Sequence, residues 1–371
     1  MGLPLFALER YFAVHEFSAK HLLCCSDCES ISTGELLAME PGAQEGLLGL
    51  RLGYTESPGS PSLRREIART YRFMAPENVL VCTGAEEAIY LFMHAALGRG
   101  DHIVVQAPCY QSLAAVAGSL GCKVSRWEAR EEDGWAPDLR ALRTLVTRRT
   151  KVIVVNSPHN PTGYHMPETM QREIVELAEN RGIALFSDEV YRGLEQRPSD
   201  RLPGACDLGE KTVSLGVMSK TYGLAGLRIG WLATRDKALL ARVAAMKDYT
   251  TICASAPSEL LAEIALRRAE ELAARNRAII DANLALLDGF FGKRADLFSW
   301  KRPMAGPIGF PRLLVGKVDG FCDTLVRTSG VLLLPGTVYQ DSGNHFRIGF
   351  GRANMPEALR ELETFLEKHQ L

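Results

Sequence analysis

The chain has 371 residues, 46% apolar and 23% charged, an ordinary globular balance and more than one small core can hold. A formal net charge of −1 leaves no footprint for nucleic acid or for an anionic membrane surface. No apolar run reaches the length of a membrane span, and the first ten residues lack the basic and apolar regions of a secretion signal, so a cytoplasmic protein is expected.

Residues 1–45 read as an arm, helical over 5–12 and extended over 22–32. The arm carries Cys24, Cys25 and Cys28 of nine cysteines in all. No His/Cys pair follows at metal-ligand spacing, so free thiols and no metal are expected. A turn-rich loop over 53–61 holds Tyr54, and Ser60 followed by Pro61 reads as the cap and first residue of a helix. From residue 79, strand patterns at 79–82, 102–106, 122–127, 151–156, 183–187 and 212–217 alternate with helical stretches. That alternation predicts an α/β fold with a mostly parallel sheet covered on both faces. One long helix is expected over 259–287. After residue 288 the pattern changes to short strands with helices at 321–328 and 356–369, a smaller α+β unit. The predicted division is an arm (1–45) that belongs with the small unit, a large domain (46–287) and a small C-terminal domain (288–371).

Open α/β sheets bind ligands outside the carboxyl ends of their strands. Thr83 to Glu86 follow the first strand and open a helix; the amides of Gly84, Ala85 and Glu86 suit a phosphate. Tyr110 follows the second strand and offers an aromatic face. Asn160, in Asn160-Pro161-Thr162-Gly163, offers an amide in a rigid turn. Asp188 and Tyr191 follow the fifth strand pattern, and Ser219 and Lys220 follow the sixth, with Arg228 eight residues on. Each has a plain alternative: a lone Lys is ordinarily a surface residue, Asn-Pro marks turns, and Asp188 could cap a helix. Together they fit pyridoxal 5'-phosphate (PLP). Lys220 would form a Schiff base with its aldehyde, and Asp188 would keep the pyridine nitrogen protonated. Asn160 and Tyr191 would bond the ring oxygen, and Tyr110 would stack on the ring. Ser219, Arg228 and the amides at Gly84 and Ala85 would hold the phosphate.

With those residues in view, the chain resembles the fold-type I PLP-dependent aminotransferases, class I/II. Asn160-Pro161-Thr162-Gly163, Asp188-Glu189-Val190-Tyr191 and Ser219-Lys220 through Arg228 carry the likeness in order and spacing. The resemblance implies a mostly parallel seven-stranded sheet and a homodimer with its sites at the subunit interface. It implies that Tyr54 reaches the neighbouring subunit's cofactor phosphate and that Arg347 grips the substrate α-carboxylate, with Arg352 a surface charge. Two departures stand out: Val217 where many members carry a small or hydroxyl residue, and an arm lacking the usual glycine-bearing segment. The arm, the strand around Arg347 and the turn over 306–311 are similar to capreomycidine synthase-like enzymes acting on arginine derivatives.

The implied activity is transfer of an amino group between an L-amino acid and a 2-oxo acid. The alternative is a PLP-dependent lyase or a cyclase/oxidase acting on an arginine-like amino acid; fold and cofactor do not separate these. A non-catalytic effector-sensing module would need a DNA-binding winged helix, and the residues before Tyr54 are too few and too weakly basic for one. No nucleic-acid or membrane partner is expected. In the arm, alternation along an extended segment would point Asp27 and Glu29 to one face, over the substrate, favouring a cationic side chain.

Overall fold

The computed structural model describes residues 2–369. The arm folds as a helix, Ala7–His15, and a short strand, β1 (His21–Leu22). The main sheet is made of β2 (Val79–Cys82), β3 (His102–Ala107), β4 (Lys123–Glu128), β5 (Thr150–Asn156), β6 (Ala184–Asp188), β7 (Thr212–Val217) and β8 (Gly230–Thr234). Their order is β2-β8-β7-β6-β5-β3-β4. Strands β4, β3, β5, β6 and β7 run parallel, while β8 is antiparallel to both β7 and β2. The apolar runs of β2, β3 and β7 are buried throughout, as expected for strands with helices on both faces. This is the predicted α/β architecture.

Strand β8 follows Arg228 directly and was not apparent as a strand in the sequence. It packs through Trp231, whose indole covers the bare backbone of Gly216 on β7. A Cβ at Gly216 would come within 2.3 Å of that ring. The indole nitrogen donates to the Tyr71 hydroxyl at 2.9 Å. Helix starts follow local rules: Ser60 accepts the Leu63 N–H ahead of the helix Pro61–Arg69. The helix Glu168–Arg181 ends on Gly182 in the left-handed region (φ 66°).

The long helix expected over 259–287 is two helices, Ala256–Arg267 and Ala269–Gly292, broken at Arg268. The break serves two cores. Leu261 and Ala262 pack with Leu36 and Leu63, whereas Ile280, Leu284 and Leu287 pack with Phe346 and Leu359. Beyond the second helix lie β9 (Phe298–Ser299), β10 (Ile308–Gly309), β11 (Arg312–Leu313), β12 (Val331–Leu332), β13 (Leu334–Pro335) and β14 (Phe346–Gly349). They pair as β11-β9 and β10-β14-β13, and β12 pairs in parallel with β1 of the arm. The chain thus returns its N-terminal segment to its C-terminal strands. Among the described residues no helix is long and apolar enough to cross a membrane.

Candidate active site

The carboxyl ends of β2, β6 and β7 open onto a cavity of about 300 Å³, roofed by the arm. Lys220 sits one turn past β7, and its Nζ donates to Ser26 Oγ at 2.9 Å. The turn is pinned from two sides. Thr221 Oγ1 donates to the Val190 and Arg192 carbonyls, and Asn276 on the long helix donates to the Thr221 carbonyl at 2.9 Å. Burial lowers the Lys220 pKa, which favours the neutral, nucleophilic amine.

Asp188 ends β6, is 6% exposed, and accepts the Val190 N–H at 3.2 Å. Burial pushes its carboxyl up to about 7. Its backbone carbonyl accepts from Asn156 Nδ2 at 2.9 Å, and Asn156 Oδ1 in turn accepts the Asn160 N–H at 2.6 Å. That chain fixes Asn160 beside Asp188. Tyr191 is 1% exposed, and burial raises its hydroxyl pKa.

Across the cavity stands Arg347 on β14, 1% exposed. Its Nε donates to the Cys24 carbonyl at 2.9 Å, and Nη1 donates to the Tyr339 hydroxyl and to Asn160 Oδ1. Tyr339 Oη also donates to Asn160 Oδ1 at 3.1 Å. A buried guanidinium held on neutral partners, with no carboxylate among its hydrogen bonds, is suited to an incoming carboxylate.

Gly84 adopts φ +82°, and a Cβ there would meet Arg228 Nη2 at 2.5 Å. The bare turn therefore admits the Arg228 guanidinium against the helix start at Gly84–Ala96. Arg228 itself has φ 52°, a left-handed conformation costly for a side-chain-bearing residue. Ala85, Ser219 and Arg228 all line the cavity. A helix start without a Cβ, an arginine fork and a hydroxyl form an anion cradle, and a buried amine and carboxylate lie beside it. These residues fit PLP: the cradle for its phosphate, Lys220 for its aldehyde carbon, Asp188 for its ring nitrogen.

The remaining expected positions are distributed unevenly. Tyr110 lines the cavity and donates its hydroxyl to Glu9 of the arm helix at 3.0 Å. Glu86 also lines it, accepting from Ser112 Oγ at 3.0 Å. Tyr54 lies outside the cavity and is 92% exposed. Val217, the departure before Lys220, lines the wall without offering a hydroxyl. Asp27 lines the cavity, but Arg352 holds it through two contacts of 3.1 and 2.8 Å. Arg352 is therefore a cavity residue rather than a bare surface charge.

Glu29 corrects the sequence expectation. Its carboxylate accepts the Ala353 N–H at 2.8 Å and is not part of the cavity wall. The arm segment is not a regular strand there. Leu23 and Glu29 pair with the backbone at Gly349 and Gly351, and the alternation that would place Asp27 and Glu29 together is broken. Sequence reasoning also missed Ser26, Tyr339 and Glu9. Each is defined by a partner more than eighty residues away, and no local motif marks it.

A seven-stranded, mostly parallel sheet with a buried lysine, carboxylate and anion cradle at one rim defines a PLP-dependent enzyme of fold type I. The family model described as aminotransferase class I and II matches residues 36–366. The chain belongs to that family. It is 31% identical to capreomycidine synthase of Streptomyces vinaceus, over 99% of this chain and 94% of the relative. Its fold matches the crystal structure of a PLP-dependent aminotransferase from Streptococcus suis with a TM-score of 0.93, 34% identity and 99% of both chains covered. It matches the PLP-dependent cyclase OrfR with a TM-score of 0.91, 32% identity and 99% and 98% coverage.

Proposed function

We propose that the protein moves an amino group between an L-amino acid and a 2-oxo acid. The observation that carries this reading is one cavity holding a desolvated Lys220 amine, a buried Asp188 and a buried Arg347 with no acidic partner. PLP, when bound, supplies an electron sink for the pair left as a proton leaves the substrate Cα. Arg347 binds the α-carboxylate in its planar fork, and Asn160 and Tyr339 fix the fork's angle. Lys220 Nζ would take the Cα proton as general base and return it, as general acid, to the cofactor carbon on the other side of the amino nitrogen, two atoms along. Asp188 would hold a proton on the pyridine nitrogen. Tyr191 and Asn160 would bond the ring oxygen, Tyr110 would cover the ring face, and Ser219, Arg228 and the Gly84–Ala85 amides would hold the phosphate. The arm helix closes the cavity and excludes water.

Borohydride treatment of the holoenzyme is expected to fix the cofactor on the peptide containing Lys220. Lys247 is fully buried, with Nζ donating to the Ser57 and Ile252 carbonyls, so its amine is already engaged. Label on Lys211 or Lys247 would overturn the assignment. Mixing the enzyme with an amino acid and no 2-oxo acid should leave pyridoxamine phosphate on denaturation. The relationship to capreomycidine synthase and to the cyclase OrfR supports a second reading, elimination or cyclisation. Recovery of unchanged PLP with released ammonia or a ring-closed product would favour it.

We also propose a cytoplasmic homodimer; nine free thiols suit a reducing compartment. Tyr54 is exposed, as are Leu48, Leu52, Tyr249 and Ile252, an apolar set expected under a second subunit. The β1–β12 pairing supports grouping the arm (1–45) with residues 288–371, apart from a large domain over 46–287. Mixed Tyr54→Phe and Lys220→Ala subunits are expected to recover part of the activity that each lacks, if Tyr54 serves the partner's phosphate. A fully active monomer in sedimentation would refute the shared site.

A further inference from the structure

We infer that Glu16 and Glu9, the two carboxylates that the arm helix turns into the cavity, select an amino acid whose side chain ends in a cation. The inference deepens the aminotransferase reading and rests on it.

Leu8, Glu9, Phe12 and Glu16 line the cavity, the spacing of one face of a helix. Glu16 is the residue that caps the helix end. Phe12 lies between the two carboxylates, about one turn from each, roughly 5–6 Å along the helix surface. The Arg347 guanidinium carbon stands 5.9 Å from the Phe12 ring centroid. A substrate held by its α-carboxylate on Arg347 therefore starts beside Phe12. Its methylenes have the Phe12 ring to pack on, and its far end lies within reach of the arm's carboxylates.

The charge pattern of the wall picks the sign of that far end. Asp188, Lys220 and Arg228 serve the cofactor, Arg347 serves the α-carboxylate, and Glu86 is held by Ser112 with its pKa raised by burial to about 7. Asp27 and Arg352 neutralise each other. Glu9 accepts only from the neutral Tyr110 hydroxyl, and the Glu16 carboxylate, unlike its backbone N–H, has neither a hydrogen-bond nor an ion-pair partner among the described residues. Burial raises the Glu16 pKa, against the pull of Arg352, as for a carboxylate still lacking a partner of its own. A guanidinium or ammonium supplies that partner through charge-assisted hydrogen bonds. A side-chain carboxylate would meet like charge and be rejected. This assigns to the arm helix the selectivity that Asp27 and Glu29 carry in the sequence reading.

The test compares kcat/KM of the holoenzyme for arginine, ornithine and lysine with that for norleucine and glutamate. The wild type is expected to prefer the cationic amino acids by at least about tenfold, and glutamate to be the poorest. In Glu16→Gln the ratio of arginine to norleucine should fall about tenfold, mainly through KM for arginine, and further in Glu9→Gln/Glu16→Gln. A wild-type preference for norleucine or glutamate, or an unchanged ratio in the double variant, overturns the proposal. Absence of any spectral change of the cofactor with every amino acid overturns the aminotransferase reading itself, a result distinct from a changed preference.

Discussion

Lys220→Ala is expected to retain the cofactor yet to turn over roughly a thousand- to ten-thousandfold more slowly than the parent enzyme. The cavity, the anion cradle and Asp188 do not depend on the lysine side chain, whose hydrogen bond goes to Ser26 alone. What is lost is the group that moves the proton at the substrate Cα. Among the described residues no other lysine lines the cavity; Lys247 is locked on two carbonyls and Lys211 is exposed beyond the far end of β7. Burial lowers the Lys220 pKa, so more of this amine is neutral and able to accept a proton than of a freely solvated amine at the same pH. A small amine such as methylamine, added at high concentration, should enter the emptied space and restore part of the rate. Single-turnover measurement of the cofactor absorbance with a good amino acid separates this loss of chemistry from a loss of binding. A variant that reacts at near-parent rate without added amine would show that the proton is moved by another residue.

The parts of the site that were legible in the sequence are those that local rules place. Gly84, Asn160, Asp188 and Ser219-Lys220 each follow a strand whose apolar run is plain, so fold topology alone delivers them to one rim. The parts that were not legible depend on contacts far along the chain. Arg352 lies 325 residues from Asp27, and its ion pair removes a carboxylate that the sequence leaves free. Glu29 is consumed by the Ala353 N–H, 324 residues away. The helical period over the arm correctly marked a helix, but only the packed structure shows that its Glu9–Glu16 face covers the cavity. The same holds for β8: a five-residue run after a glycine-rich turn becomes a strand because Trp231 packs across Gly216 and pairs on both sides, a tertiary effect that local propensity does not report.

Asp188→Asn is expected to cost about a thousandfold in the proton-transfer step, roughly 4 kcal/mol of barrier. The asparagine keeps the size and can keep the Val190 N–H contact, so the fold and the cavity should survive. It lacks the charge that holds a proton on the pyridine nitrogen. The same variant carries a second signature in the cofactor-free protein. Asp188 has its pKa raised by burial from 3.8 to about 7. The folded state thus binds this proton more firmly than the unfolded chain does. The associated stability is fully present below the unfolded value near 4 and is lost as pH rises through 7. The loss amounts to roughly 4 kcal/mol at most, since burial is nearly complete. Asp188→Asn has no proton to lose there. Cofactor-free parent and variant should therefore have similar melting temperatures near pH 4, and the variant should be the more stable above pH 7. Groups that do not feel the Asp188 charge act alike in both proteins, so the difference between the two curves reports Asp188 together with the neighbours that feel its charge, Lys220 and Tyr191. Parallel curves across that range would place the charged carboxylate in a solvated setting. Near-parent rates in the holoenzyme variant would remove Asp188 as the partner of the ring nitrogen.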